Sequence, residues 1–463
     1  MLGYPGTCRT NRAPRHRARA LLAFIAAGVW MSAGSARANG AFSDSKAILL
    51  PQGQPQRIVT SSDIPGLLVS DDDGATWPWR CQDAVGRFAA LFQLGPAPDE
   101  QLYAITQAGL SISADAGCTW ERPEGLTKRA GDVFADPSDP QHVLSIVETT
   151  VAVDSPLYGD IVVQSHDGGA SFGPAMFSTS HATITGLEVA RSDPRLIYLA
   201  MSSLQLQHPY VVRSTDAGET WREFDLTAQL DRRPLIISIL AVHPQDAQTL
   251  YFRVSDGKQD LLAISTDAGE TVRVAHRLET SMSAFLVRAD GTLLLATSEG
   301  ESFRSTDAGA SFEPWTSAAS KLHIQALGER AGVLYATTTS KLDGFAVASS
   351  TDDGESWRPL LRLAHLRGPL ACGSTRTQCE KQWAQLQPSL ARLSGPALGP
   401  ESTPASLPMP QPSAADGCSV GPGFIGRHGT QWLCATALLT LTCLRRLKRA
   451  RTRERRRDND PTL

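Results

Sequence analysis

Several absences narrow the chemistry before any motif is considered. The 463-residue chain has eight cysteines but no Cys-x-x-Cys pair, and its ten histidines are scattered without ligand spacing, which argues against a zinc site. No Ser/His/Asp order, phosphate-binding glycine loop or metal-binding helix stands out, so no catalytic residue, metal or cofactor is assigned. The run Asp71-Asp72-Asp73-Gly74 lacks the alternating ligands and distal glutamate of a calcium loop. Apolar runs are short. Residues 20–30 and 432–444 both fall below the roughly 17 to 20 apolar residues that a membrane-spanning helix needs.

Charge is uneven along the chain. The formal net charge is minus 3, yet residues 1–38 hold six arginines and no acid, and residues 418–463 hold ten basic against three acidic residues. With both ends set aside, residues 39–417 carry minus 16. Such a surface disfavours nucleic acid and anionic lipid as partners.

What the chain does have is an octet, Ser-x-Asp-x-Gly-x-Thr/Ser-aromatic, repeated seven times. The copies begin at Ser70 (SDDDGATW), Ser113 (SADAGCTW), Ser165 (SHDGGASF), Ser214 (STDAGETW), Ser265 (STDAGETV), Ser305 (STDAGASF) and Ser350 (STDDGESW). Their aspartates are Asp72, Asp115, Asp167, Asp216, Asp267, Asp307 and Asp352, spaced 40 to 52 residues apart, a period in the range of propeller blades. Chemically each octet is a turn. The carboxylate accepts backbone N–H bonds, glycine supplies a positive φ, and the terminal aromatic drops between neighbouring sheets. Short β-prone runs precede each octet, and Asp-Pro or His-Pro turns fall at 136–137, 193–194 and 243–244. The pattern per repeat is strand, turn, strand, loop, strand, octet, strand. Seven such units predict an all-β, seven-bladed β-propeller of four-stranded antiparallel blades.

These octets resemble the Asp-box, or BNR, repeats of the propellers of sialidases, Vps10 domains, xyloglucan-degrading glycosidases and a photosystem assembly factor. The resemblance implies structural aspartates at the periphery and a ligand in the central cavity. Catalytic relatives need an arginine triad and a Phe/Tyr-Arg-Ile-Pro stretch, and Arg57-Ile58-Val59 lacks that proline. The acids Asp132, Asp154, Asp160, Asp231 and Asp343 read as solvated loop residues. Trp79, Trp315 and Trp383 alone are left to line a sugar cleft, which tilts against an enzyme. The expected function is a non-catalytic, monomeric binding or scaffold domain for a protein or glycan ligand. A glycoside hydrolase and an envelope assembly factor are the alternatives.

The ends read as sorting signals. Residues 1–38 have an arginine-rich start, an apolar centre and Ala36-Arg37-Ala38 as a cleavage site, so export machinery is an expected partner. The propeller is expected at 39–366, a cysteine-containing extension at 367–387, in which a short helix from Trp383 to Arg392 begins, a Pro/Ser-rich linker at 388–416 and a C-terminal segment at 417–463. Gly417-Cys418, a short apolar run and the arginine cluster from Arg445 onward resemble the MYXO-CTERM sorting signals of myxobacteria. That resemblance implies a surface protein of a Gram-negative bacterium, a transient membrane hold through the tail, and cutting near Cys418 by a sorting protease. Within the exported part, Cys81, Cys118, Cys372 and Cys379 are expected to form two bridges, Cys81 with Cys118 and Cys372 with Cys379.

Overall fold

A computed structural model describes residues 46–86, 91–124, 126, 130–150, 158–203, 208–230, 236–315 and 322–393. The expected signal peptide with Ala38, the tail with Gly417 and Cys418, and the acids Asp154 and Asp231 lie outside the described residues. No helix among the described residues is long and apolar enough to cross a membrane.

The chain forms seven consecutive antiparallel sheets, six of four strands and one of three, each with its strands in sequence order. This is the seven-bladed β-propeller that the octet period predicts. The second blade (91–113) is the three-stranded one. Its fourth strand is reduced to a single bridge between Ile112 and Glu121. The first strand of every blade faces the centre: Ile48–Leu49, Leu91–Leu94, Ala130–Ala135, Thr183–Val189, Ile236–Val242, Met282–Val287 and Ile324–Arg330. Most of their side chains are buried, against the neighbouring blades or toward the central cavity. Five of them carry a register shift, in four cases near their start and in Ile236–Val242 between Ile239 and Ala241, which bends the strand. At two shifts the extra residue donates a hydroxyl to the next blade: Ser283 Oγ to the Ile324 carbonyl at 2.6 Å, and Thr185 Oγ1 to the Ile237 carbonyl.

The octets hold the blades together. In each, the serine hydroxyl donates to the aspartate and accepts from the glycine N–H; in the fourth, Ser214 Oγ lies 2.7 Å from Asp216 Oδ1 and 2.8 Å from Gly218 N. The aspartate also accepts from the backbone N–H and hydroxyl of Thr220, at 2.9 and 2.6 Å. Two left-handed residues in succession make the turn, Ala217 at φ 57° and Gly218 at φ 93°. Glycine is required there for a second reason: its open face receives a side chain of the preceding blade. Leu360 meets Gly74, Arg80 meets Gly117, Ile112 meets Gly169, Met176 meets Gly218, Val211 meets Gly269, Ile264 meets Gly309 and Trp315 meets Gly354. The contacts run once around the ring.

Two features of the sequence reading are corrected here. Both bridges tie the C-terminal extension to the first two blades, Cys81 with Cys379 and Cys118 with Cys372, so neither expected pair forms. Closure of the propeller returns the chain end to the first two blades, a proximity that sequence distance hides. The helix in the extension is also longer than expected, spanning Gly373–Leu393 with Pro388 inside it. Its buried side consists of Cys379 and Leu390, with Trp383, Leu386 and Leu393 packed on the first-blade cluster around Trp79 and Ile64. That tertiary burial outweighs the local cost of proline.

Candidate functional site: the central cavity

The seven innermost strands enclose a cavity of about 330 Å³. Its walls are mostly aliphatic and phenylalanine, with Leu50, Phe92, Phe134, Val189, Phe285 and Leu327 among them. The carboxylates at its edge are Glu100, Glu188 and Glu329. Glu100 accepts from the Gly53 N–H at 2.6 Å and from Gln54 Nε2 at 3.2 Å. Glu329, only 8% exposed, accepts from Arg288 Nη2 at 2.9 Å and Nε at 3.3 Å. Arg288 also pairs with Asp353 in the seventh octet, so this carboxylate belongs to an ionic chain between blades six and seven. Of the cations on the lining, Lys46 donates to the Ser62 carbonyl at 2.8 Å.

The expected site residues fall elsewhere. The octet aspartates lie in the turns between the third and fourth strands, and none lines the cavity. Asp167, Asp216, Asp307 and Asp352 are held down to about 2, first by the hydroxyl of the residue four positions on and then by its backbone N–H. Asp132, Asp160 and Asp343 are buried, which corrects their reading as solvated loop residues. They hold strands rather than water. Asp160 accepts from Ile184 N at 2.7 Å and Asp343 from His323 N at 3.1 Å, each securing the start of an innermost strand. Burial pushes Asp132 up to about 7 and Asp160 up to about 6. No spacing in the sequence marks Asp160 and Asp343, because the N–H each one meets lies 24 and 20 residues away; Asp132 accepts from the neighbouring Val133 N–H at 2.8 Å.

Tryptophan does not reach the cavity among the described residues. Trp315 is buried between blades six and seven, donating to the Asp353 carbonyl at 3.2 Å, and Trp79 is buried on the outer strand of blade one, where Trp383 packs on it at 5.9 Å. No group of three or more potential metal ligands occurs among the described residues.

The fold and cavity define the class, a closed seven-bladed β-propeller. No protein-family model matches the chain, and no curated protein does. Solved structures do resemble it. YCF48 bound to a D1 peptide is 16% identical, with 49% of this chain and 66% of that one covered and a TM-score of 0.35. YCF48 from Cyanidioschyzon merolae is 13% identical over 65% of this chain and 92% of that one, with a TM-score of 0.44. The GH74 xyloglucanase from Xanthomonas campestris is 14% identical over 70% and 65%, with a TM-score of 0.35. The chain thus spans just under two thirds of the first and third of these. At such identities the likeness is one of fold.

Proposed function

We propose that this propeller is a non-catalytic binding domain that takes a protein or glycan segment into its central cavity, and that it works outside the cytoplasm. One observation carries the reading. The cavity draws apolar wall from all seven blades, contains no tryptophan platform among the described residues, and has Glu100 and Glu329 each held by hydrogen bonds to the protein's own donors. Inverting glycosidases need two such carboxylates about 6.5 to 9.5 Å apart with room for water. Two disulfides support an oxidising compartment.

The test has two arms. Xyloglucan and sialylated substrates are incubated with the protein, and no sugar release is expected; release that disappears in Glu188→Gln or Glu329→Gln defeats the reading. A hexapeptide display library is then selected on the parent and on Ala326→Trp, which fills the cavity. Peptides and oligosaccharides retained by both proteins alike count against the cavity as the site.

The same proposal extends to delivery: export through residues 1–38, temporary retention by residues 432–444 with the arginine cluster on the cytoplasmic side, and cutting near Cys418. Mass spectrometry of the surface form checks it. Full recovery of peptides beyond Leu444 contradicts it.

A further inference from the structure

We infer that the helix Gly373–Leu393 is a redox-locked strap that closes the propeller ring. At six blade junctions the chain passes from the last strand of one blade into the first strand of the next, whereas between blade seven and blade one it runs only through the segment that follows Leu361. No strand is shared there either, since all four strands of the first sheet come from 48–80 and all four of the seventh from 324–361. The direct seam consists of side-chain contacts: Trp77 Nε1 to the Leu360 carbonyl at 3.1 Å, Ser340 N to Asp63 Oδ2 at 2.7 Å, and Arg330 Nη1 to the Arg57 carbonyl at 2.7 Å.

The strap adds the missing connection. After blade seven, residues 368–370 run parallel to the outermost strand of blade one, Trp79 N donating to the Gly368 carbonyl at 3.0 Å and Leu370 N to the Trp79 carbonyl at 2.9 Å. The helix follows, and Cys118–Cys372 and Cys81–Cys379 join its first turns to blades two and one. Thr375 Oγ1 donates to the Cys118 carbonyl at 2.6 Å. The bridged residues are 254 and 298 positions apart, so each bond makes a covalent circuit of almost the whole ring. Closing loops this long removes the most chain entropy from an opened state.

Opening each bond requires two electrons and two protons, which a small dithiol supplies as it leaves as its own cyclic disulfide. Release of the helix then leaves the seam to its side chains and to the short backbone pairing of 368–370 with Trp79. The strands on either side of that seam, Ile48–Leu49 and Ile324–Arg330, are two walls of the cavity, so reduction loosens the cavity from one side. This gating rests on the proposed reading of the cavity as the ligand site; the strap itself does not.

Hydrogen exchange with mass spectrometry on the folded full chain tests the strap without any ligand. After dithiothreitol and alkylation, amides of 48–60 and 324–338 are expected to exchange at least tenfold faster, while those of 183–203 and 236–255 keep their rates. Unchanged seam rates overturn the proposal, and so does a uniform rise in every blade. The double variant Cys118→Ser/Cys372→Ser keeps one bridge, so its seam is expected to stay protected until dithiothreitol is added. Loosening of the seam in that variant before reduction also overturns the lock at Cys81–Cys379. A strap that passes while Ala326→Trp leaves ligand capture unchanged separates failure of the cavity reading from failure of this one.

Discussion

Trp77 donates its indole N–H to the carbonyl of Leu360 at 3.1 Å, joining two residues 283 positions apart across the junction between the last blade and the first. The same Leu360 side chain lies against Gly74, where an added Cβ would stand 3.0 Å from its Cβ. The octet glycine is thus both a turn residue and a docking surface.

A graded series of alanine substitutions separates those two roles. Gly332 has φ 77° and nothing within 4 Å of a built Cβ, so Gly332→Ala carries only the left-handed cost, about 1 to 2 kcal/mol. In Gly218→Ala the Cβ meets the terminal methyl of Met176, which can swing away, so the loss is only slightly larger. In Gly354→Ala it meets the rigid Trp315 ring at 2.3 Å, and the combined strain is about 2 to 5 kcal/mol. Denaturant midpoints are expected in that order. Equal losses at all three sites contradict the docking role.

Within an octet the serine matters more than the aspartate. Sequence reasoning puts the stabilising acceptor on Asp216, but its bonds to Thr220 are exposed, whereas the bond from Gly218 N to Ser214 Oγ is buried. Ser214→Ala strands that N–H and is expected to cost about 1 to 3 kcal/mol. Asp216→Asn is expected to cost less. Thermal midpoints that reverse this order refute the assignment.

The fold was legible because the octet has a fixed chemistry and a fixed period, so Ser, Asp, Gly and the aromatic can each be read locally. The cavity was not. Its walls come from seven strands spread over about 280 residues, and nothing near Glu329 in the sequence announces that Arg288 holds it. Cys379 fails for the same reason. Its nearest cysteine in sequence is Cys372, but helix formation over 373–393 carries the two side chains to different blades.

Stability should respond to pH in two opposite windows. Asp167, Asp216, Asp307 and Asp352 are depressed to about 2 by hydroxyl and N–H donors, below the unfolded value near 3.9. Their contribution is present above about pH 4 and is lost as pH falls toward 2. Asp132 and Asp160 are raised by burial to about 7 and about 6, so the folded state holds their protons more tightly than the unfolded chain. Their contribution is complete below about pH 4 and is lost as pH rises to 7. Together these groups favour a maximum near pH 4. Asp132→Asn is expected to flatten the urea midpoint between pH 4 and 7, and an unchanged slope there rules out Asp132 as a source.

Arg80 yields the last prediction because it is a buried cation with little to hold it. It is 2% exposed, its Nε has no partner, and Nη1 reaches only the Pro78 carbonyl at 3.4 Å. Burial lowers its pKa to about 10, with Asp71 and Asp115 opposing that shift from a distance. Its methylene stem lies over Gly117, the position that Met176 occupies over Gly218 two blades on. Replacing a poorly compensated buried charge by an apolar side chain of similar length is commonly neutral or stabilising by about 1 to 4 kcal/mol. Arg80→Met is therefore expected to keep or raise the thermal midpoint, whereas Arg80→Ala, which empties the groove, lowers it. If Arg80→Met falls as far as Arg80→Ala, the guanidinium itself is needed and its interactions with Asp71 and Asp115 outweigh its desolvation.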